Sequence, residues 1–300
     1  SSDNTGTSTS PTAWYANMIV SGNVIDSPGS PAFTSQGIPH GMYFRSPDSL
    51  FTHNTIHGRN TSGSSAFQLR IKADNTVVSY NYLVATSTDL GTGTYLETNV
   101  TNVQFHHNAI KAPSGSTGSC IYFHATTSNS HAYHNVCDGF TTFLKQRAST
   151  GTGNKASNNI CVTGPSCNIV DEHTPDDLTL VDNIPNAVGS GGATVATSNF
   201  TDRTNGDYSL VAGAVTLIDQ GTAISGQTFN GTAPDLGAFE RVGFASATVN
   251  EHFLDVTVGQ NIAAHSPIQA GAIGEWTVLF GGVARTTTNV AKLTGSDNIV

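Results

Sequence analysis

Between residues 14 and 190 the apolar positions recur in short columns around one repeated asparagine, and no stretch sustains a 3.6-residue period. Set against one another, Leu50-Phe51-Thr52-His53-Asn54, Val77-Val78-Ser79-Tyr80-Asn81 and Val103-Gln104-Phe105-His106-His107-Asn108 repeat one phrase. It returns at Asn135, Asn159 and Asn183, after an earlier copy at Asn23, at intervals of 31, 27, 27, 27, 24 and 24 residues. Three residues before each asparagine stand Val20, Phe51, Val78, Phe105, Ala132, Ala156 and Leu180. Two after it come Ile25, Ile56, Leu83, Ile110, Cys137 and Cys161, with Pro185 breaking the column. Short apolar runs among polar and β-branched residues predict strands, which excludes helical repeats. Self-similarity at this period predicts a solenoid, each repeat being one turn that cannot bury its apolar face alone. A turn of 24–27 residues fits a parallel β-helix. The asparagine is expected at a tight bend in the left-handed conformation, its amide bonded to the copy one coil away. Six residues earlier a second polar column, Asn17, Asp48, Asn75, Asn102, Asn129, Gly153 and Asp177, reads as another corner.

Equal spacing also stacks the remaining side chains. Taking the residue 12 before each asparagine as inward gives Met42, Leu69, Leu96 and Phe123, and 14 before gives His40, Phe67, Thr94 and Ile121. Because side chains alternate along a strand, the residues between them face outward. The outward columns are Gln68, Tyr95 and Tyr122; then Tyr43, Arg70, Glu97 and His124; then Arg45, Lys72, Asn99 and Thr126, with Lys145 and Arg147 joining in the next coil. Five of the eight Lys and Arg between residues 14 and 190 fall on this strip.

Composition sharpens that picture. Charged residues make up 11% of the chain and there are 31 glycines, so the surface is built from Thr, Ser and Asn, as suits a rigid β protein outside the cell. A net charge of −9 argues against nucleic acid as a partner. No apolar run approaches the length of a membrane span. The form in hand is therefore expected to be soluble, with any export signal already absent. Cys137 and Cys161 share a repeat position on consecutive coils, about 4.8 Å apart, within disulfide reach. Cys161 with Cys167, or four reduced thiols in the core, remain as alternatives. No Cys-x-x-Cys spacing suggests zinc.

After residue 190 the asparagine stops. Gly206-Asp207-Tyr208-Ser209-Leu210 leads through Leu217-Ile218-Asp219-Gln220-Gly221-Thr222 to Pro234-Asp235-Leu236-Gly237-Ala238-Phe239-Glu240. With the earlier His40-Gly41-Met42-Tyr43, this resembles secreted bacterial right-handed parallel β-helix proteins of the pectate-lyase-like superfold, over roughly residues 14–240. The resemblance implies an all-β chain with coils over 14–190, a segment at 191–240 that caps the last open coil, and export from a bacterium to the medium or cell surface. Residues 241–300 alternate differently, as in Trp276-Thr277-Val278-Leu279-Phe280, and look like a partial β-sandwich add-on module, with Val300 inside it.

An acidic chain that gathers its cations on one tyrosine-lined ridge is built to meet an anionic polymer, and a linear array matches an extended polysaccharide. That points to β-elimination on a uronate. Arg70, Arg45 or Arg147 would neutralise the carboxylate; Lys72, His124 or a tyrosine such as Tyr43 would take the C5 proton. Gln68, Tyr95, Glu97, Tyr122, Lys145 and Arg147 would line the substrate. The strip is similar to β-helix lyases of the chondroitinase B and alginate lyase type in pairing Lys with Arg, and that likeness implies calcium near the substrate carboxylate. A hydrolase needs two carboxyls about 5–9.5 Å apart, and only Glu97 lies on the strip. Arg70-Ile71-Lys72 resembles a polygalacturonase phrase, without the paired aspartates or the Gly-His-Gly. A non-catalytic adhesin, or a self-associating structural subunit, would use the same ridge. His53, His107 and His134, with Tyr80 between, read as stacked turn residues rather than metal ligands. Gln104, His106, His131, Tyr133 and Lys155 form a reserve binding face. Asp171, Asp176 and Asp177 suggest either a calcium loop or a solvated turn.

Overall fold

In the computed structural model the described residues are 16–26, 40–57, 63–85, 90–97, 99–147, 151–163, 166–173, 177–189, 194–241, 283–285 and 291–293. Residues 1–241 form one unit and 242–300 a second. In the second, Val283–Arg285 pairs antiparallel with Ala291–Leu293.

The first unit is a parallel β-helix. Its first wall is a seven-stranded parallel sheet of three-residue strands, Ile19–Ser21, Leu50–Thr52, Val77–Ser79, Gln104–His106, His131–Tyr133, Lys155–Ser157 and Thr179–Val181. The second wall begins just past each asparagine with Val24–Asp26, Thr55–His57 and Tyr82–Val84, and continues through the starts of Ala109–Phe123 and Val136–Gln146 to Ile160–Cys161. The third wall runs from His40–Phe44 through Gly63–Ile71 and Leu90–Leu96 to the ends of those two long strands and Asn168–Asp171. Phe51, Val78 and Phe105 from the first wall meet Ile56, Leu83 and Ile110 from the second in one core, all fully buried. Each such side chain contributes about 1.5–3 kcal/mol.

The asparagine corner differs from expectation in one detail. The left-handed residue is the one before the asparagine: Gly22, His53, Tyr80, His107, His134, Asn158 and Asp182 all have positive φ. That turn aims the asparagine inward. Asn81 Nδ2 donates to the Ser79 carbonyl (2.9 Å), to the Phe51 carbonyl one coil back (3.0 Å) and to Asn108 Oδ1 (2.9 Å), which also accepts from Asn81 N (2.9 Å). The same set recurs at Asn54, Asn108 and Asn135; Asn159 keeps the bonds to the Ala132 carbonyl and to Asn183 Oδ1, and Asn183 ends the ladder by donating to Asn186 Oδ1 (3.1 Å). The ladder supplies its own buried carboxamides with partners, as the interior requires. At the second corner Asn17, Asp48, Asn75, Asn102, Asn129 and Gly153 are left-handed. Asp177 is not among the left-handed residues, and its backbone N–H instead donates to Asp171 Oδ2 (3.1 Å). Gly153 takes the same left-handed conformation without a side chain.

Of the open cysteine pairings, Cys161 with Cys167 is the one that forms. Cys137 and Cys161 are register partners, yet the bonds are Cys120–Cys137 and Cys161–Cys167. Each bond closes a short loop within the chain order, with Cα atoms 5.9 and 6.1 Å apart, inside the distance a disulfide spans. The closing segment packs against the second wall. Phe200, Tyr208, Leu210, Leu217, Leu236 and Ala238 cover Ala109, Val136 and Ile160, apolar residues that face outward from the second wall and need cover. Arg203 grips the fully buried Asp138 with Nε at 2.7 Å and Nη2 at 2.8 Å, and Tyr208 donates to the same carboxylate at 2.6 Å.

Candidate functional site

On the third wall strand register sets the outward order, and it departs from equal spacing. Leu69 pairs with Thr94, not Leu96, because twelve residues separate Leu69 from Asn81 but fourteen separate Thr94 from Asn108. Two residues have moved from one connecting loop to the next while the period stays 27. Inside and outside survive a shift of two, but neighbours change. The inward column is Met42, Leu69, Thr94 and Ile121, while Leu96 and Phe123 stack with Phe44 and Ile71. The side chains of His40 and Phe67 lie outside the described residues.

Two outward rows result. One is Tyr43, Arg70, Tyr95, Tyr122 and Lys145. The other, two residues on, is Arg45, Lys72, Glu97, His124, Arg147 and Glu172, joined by backbone bonds such as His124 N to the Leu96 carbonyl and Arg147 N to the Phe123 carbonyl. Ten of the thirteen residues expected on this strip thus lie on one wall. Gln68 does not, being fully buried with neither amide atom bonded. The irregular pairing between Gly63 and Phe67 just before it breaks the alternation. Asn99 and Thr126 lie past the wall at a left-handed corner, bonded to each other.

Glu97 is the hub of the upper part. Its Oε1 meets Arg70 Nη2 (2.7 Å) and Lys72 Nζ (3.0 Å), and its Oε2 accepts from Arg70 Nε (2.8 Å) and the Tyr43 hydroxyl (2.8 Å). Burial pushes its carboxyl up, but the bonds from Arg70, Lys72 and Tyr43 outweigh it and hold the group below its ordinary value. The Arg70 guanidinium, shielded by burial yet bound to Glu97, ends above its own. It also lies 4.7 Å from the Tyr43 ring centre and 5.6 Å from that of Tyr95, and Arg45 lies 5.1 Å from Tyr43. Burial first, then the bond to Glu97, pushes the Tyr43 hydroxyl up to about 12; burial does the same for Tyr95.

The lower part centres on His124. Its ring lies 5.0 Å from Tyr95 and 5.6 Å from Tyr122, and Nε2 accepts from Arg147 Nη1 at 2.7 Å. Burial, then the Arg147 charge, lowers the imidazole below 6.5, so it is neutral at pH 7. Burial raises the Tyr122 hydroxyl. Lys145 sits 5.4 Å from the Tyr122 ring centre and pairs with Glu172 (2.7 Å), a strip carboxylate the sequence reading missed because its coil has a shorter loop.

Elsewhere, the reserve face is largely closed, with Tyr133 and His106 buried. Gln227 from the closing segment donates to the Tyr133 hydroxyl at 3.3 Å. Asp171 Oδ1 accepts from His173 N (2.9 Å) and its Oδ2 from Asp177 N and Leu178 N. It is a loop clamp; Asp176 lies outside the described residues. Among the described residues no group of three or more His, Cys, Asp or Glu is placed to hold a metal, and no helix is long and apolar enough to cross a membrane.

No family model matches the chain, and no curated protein matches it. One solved structure, titled "Crystal structure of pectate lyase Pel9A", aligns over 66% of this chain and 65% of that one, with 15% identity and a TM-score of 0.24. The alignment spans less than two thirds of that protein's length. The β-helix assignment rests on the strand pairing itself.

Proposed function

We propose that the chain is an extracellular lyase that binds an acidic polysaccharide along the third wall and cleaves it by β-elimination at His124. The observation that carries this reading is the Arg147–His124 contact beside two tyrosines that keep their protons. A uronate carboxylate drawn to Arg147 would be held bidentately, which acidifies C5. It would also take the guanidinium from Nε2, leaving a neutral imidazole to accept the C5 proton. The C5–H electrons form the C4=C5 bond, the C4–O bond breaks, and the leaving oxygen takes its proton from Tyr122. No oxidant or reductant is needed.

This moves the chemistry off Lys72 and Arg70. Lys72 holds Glu97 through its own protons, so it serves as a counter-ion rather than a base. Tyr43, Arg70, Lys72 and Glu97 act as a rigid positioning clamp one rung away, and Arg45 and Lys145 extend the cationic track. Four cysteines all in disulfides support an oxidising location. A glycoside hydrolase is disfavoured, since Glu97 and Glu172 lie three rungs apart, roughly 14 Å at about 4.8 Å per rung, beyond the span of either hydrolytic geometry.

Incubation with alginate, polygalacturonate and glycosaminoglycans should give rising absorbance from unsaturated uronate on at least one, abolished by His124→Ala. No absorbance change on any of them removes the lyase reading. A second reading, a non-catalytic glycan-binding surface protein, is favoured by Glu97 already neutralising Arg70 and Lys72. It predicts retention on an acidic-glycan column that His124→Ala leaves intact, with no new absorbance.

A further inference from the structure

Among the described residues, three aromatic rings are left exposed in the first unit: Tyr80 at 43%, Phe229 at 38% and Phe239 at 37%. All three line one cleft of about 280 Å³, together with His107, Thr228, Asn230, Ala238 and Glu240. Its floor is the corner ladder of the first wall and its sides are the closing segment, so it is distinct from the third-wall strip. Aromatic surface is expensive to leave in water, and gathering it in one recess marks an interaction site.

The recess is built rather than incidental. Both faces of Tyr80 are taken, by His53 at 5.1 Å and His107 at 4.9 Å in near-parallel stacks, so it presents its ring edge and hydroxyl. Phe229 and Phe239 stack on no other ring among the described residues and stay partly exposed at the cleft. Glu240 ties the two sides together, Oε1 accepting from Asp235 N (2.9 Å) and Oε2 from Asn230 N (3.4 Å). Gly237, at φ +101°, lets the segment press on Ile160, where a Cβ would come within 2.7 Å of the side chain.

We infer that this cleft binds a neutral sugar ring, stacked on Phe229 and Phe239 and hydrogen-bonded by Tyr80, Asn230 and Glu240. The charge of the lining selects the class: one carboxylate and no cation repel an acidic sugar, while hydroxyls can donate to the carboxylate and accept from the Asn230 amide. Burial lowers His107 to about 3, so it adds a neutral ring and no charge. The volume sits near the lower end of the roughly 300–1,000 Å³ of small-molecule pockets, room for a ring or two. The inference does not depend on the lyase reading.

Saturation-transfer NMR with maltose, cellobiose and lactose, and with digalacturonate as the acidic control, tests it on the whole chain. We expect saturable transfer from at least one neutral disaccharide and none from digalacturonate. Phe229→Ala and Phe239→Ala should each weaken binding about tenfold. Tyr80→Phe, which keeps the ring stack and so the fold, should weaken it about threefold, the loss of one hydrogen bond, and His124→Ala should change nothing. Transfer from no neutral disaccharide, transfer that persists in both alanine variants, or binding of N-acetylphenylalanine amide without any sugar overturns the assignment.

Discussion

The third wall and the histidine corner are built from the same rung geometry and hold similar side chains, yet they behave as opposites. On the third wall Tyr43, Arg70, His124 and Arg147 stay in reach of solvent, and the buried Glu97 answers the Arg70 charge. At the corner His107 stacks on Tyr80 and His134 at 4.9 and 5.0 Å, His106 stacks on Tyr133 at 4.7 Å, and the closing segment lies over them. Burial lowers His106, His131 and His134 to about 4 and His107 to about 3, so that cluster is neutral. A solenoid thus makes one kind of ladder into a charged track or a dry stack, and the deciding variable is whether another segment covers it.

The widest separation between the two faces should come from His124→Ala, which is expected to lower turnover on the cleaved polymer by about 10²–10⁴-fold while leaving thermal unfolding unchanged. A turnover within a few-fold of wild type would return the chemistry to the upper clamp. Both faces hang on the asparagine ladder, so Asn108→Leu should damage them together. It leaves the buried Asn81 N without its acceptor and takes one of three acceptors from Asn81 Nδ2, and at about 1–3 kcal/mol for a buried group left unpaired should cost that much in urea unfolding.

Acid should then tell the faces apart. The corner histidines sit below their ordinary 6.5, so the unfolded chain takes up protons first. Their stabilising contribution is complete above pH 6.5 and declines as pH falls from 6.5 to about 4. Melting temperatures across that range should drop, and His107→Asn should flatten the slope. Glu97 acts lower, because its depressed carboxyl contributes above 4.5 and is lost as pH falls below that. The smallest effect expected is that of Glu97→Gln, about 1–2 kcal/mol of stability since Arg70 and Lys72 keep partial exposure. The same variant should retain acidic oligosaccharide more strongly on a binding column, with two cations released.

The solenoid was legible because its core asks the same question every turn, and Phe51, Val78 and Phe105 with Asn54, Asn81 and Asn108 answer it alike. The strip was legible as a wall, since alternation survives a shift of two residues. Its register was not: the redistribution of two residues between loops made Tyr95 the cross-strand partner of Arg70, while Glu97 still reaches Arg70 at 2.7 Å and also meets Lys72. Gln68 was misplaced because a bulge is local and leaves no periodic trace. The cleft beside Tyr80 was hidden for another reason. It joins a repeat position to a segment more than a hundred residues later, and no period links them.

The carboxamide chain from Asn23 to Asn186 points one way, each member handing its protons to the following coil. Such a spine has no preferred length. Excising a whole 27-residue period between two equivalent asparagines leaves every junction chemically the same, so the rod can gain or lose a storey while the outward rows are reshuffled beneath an unchanged scaffold.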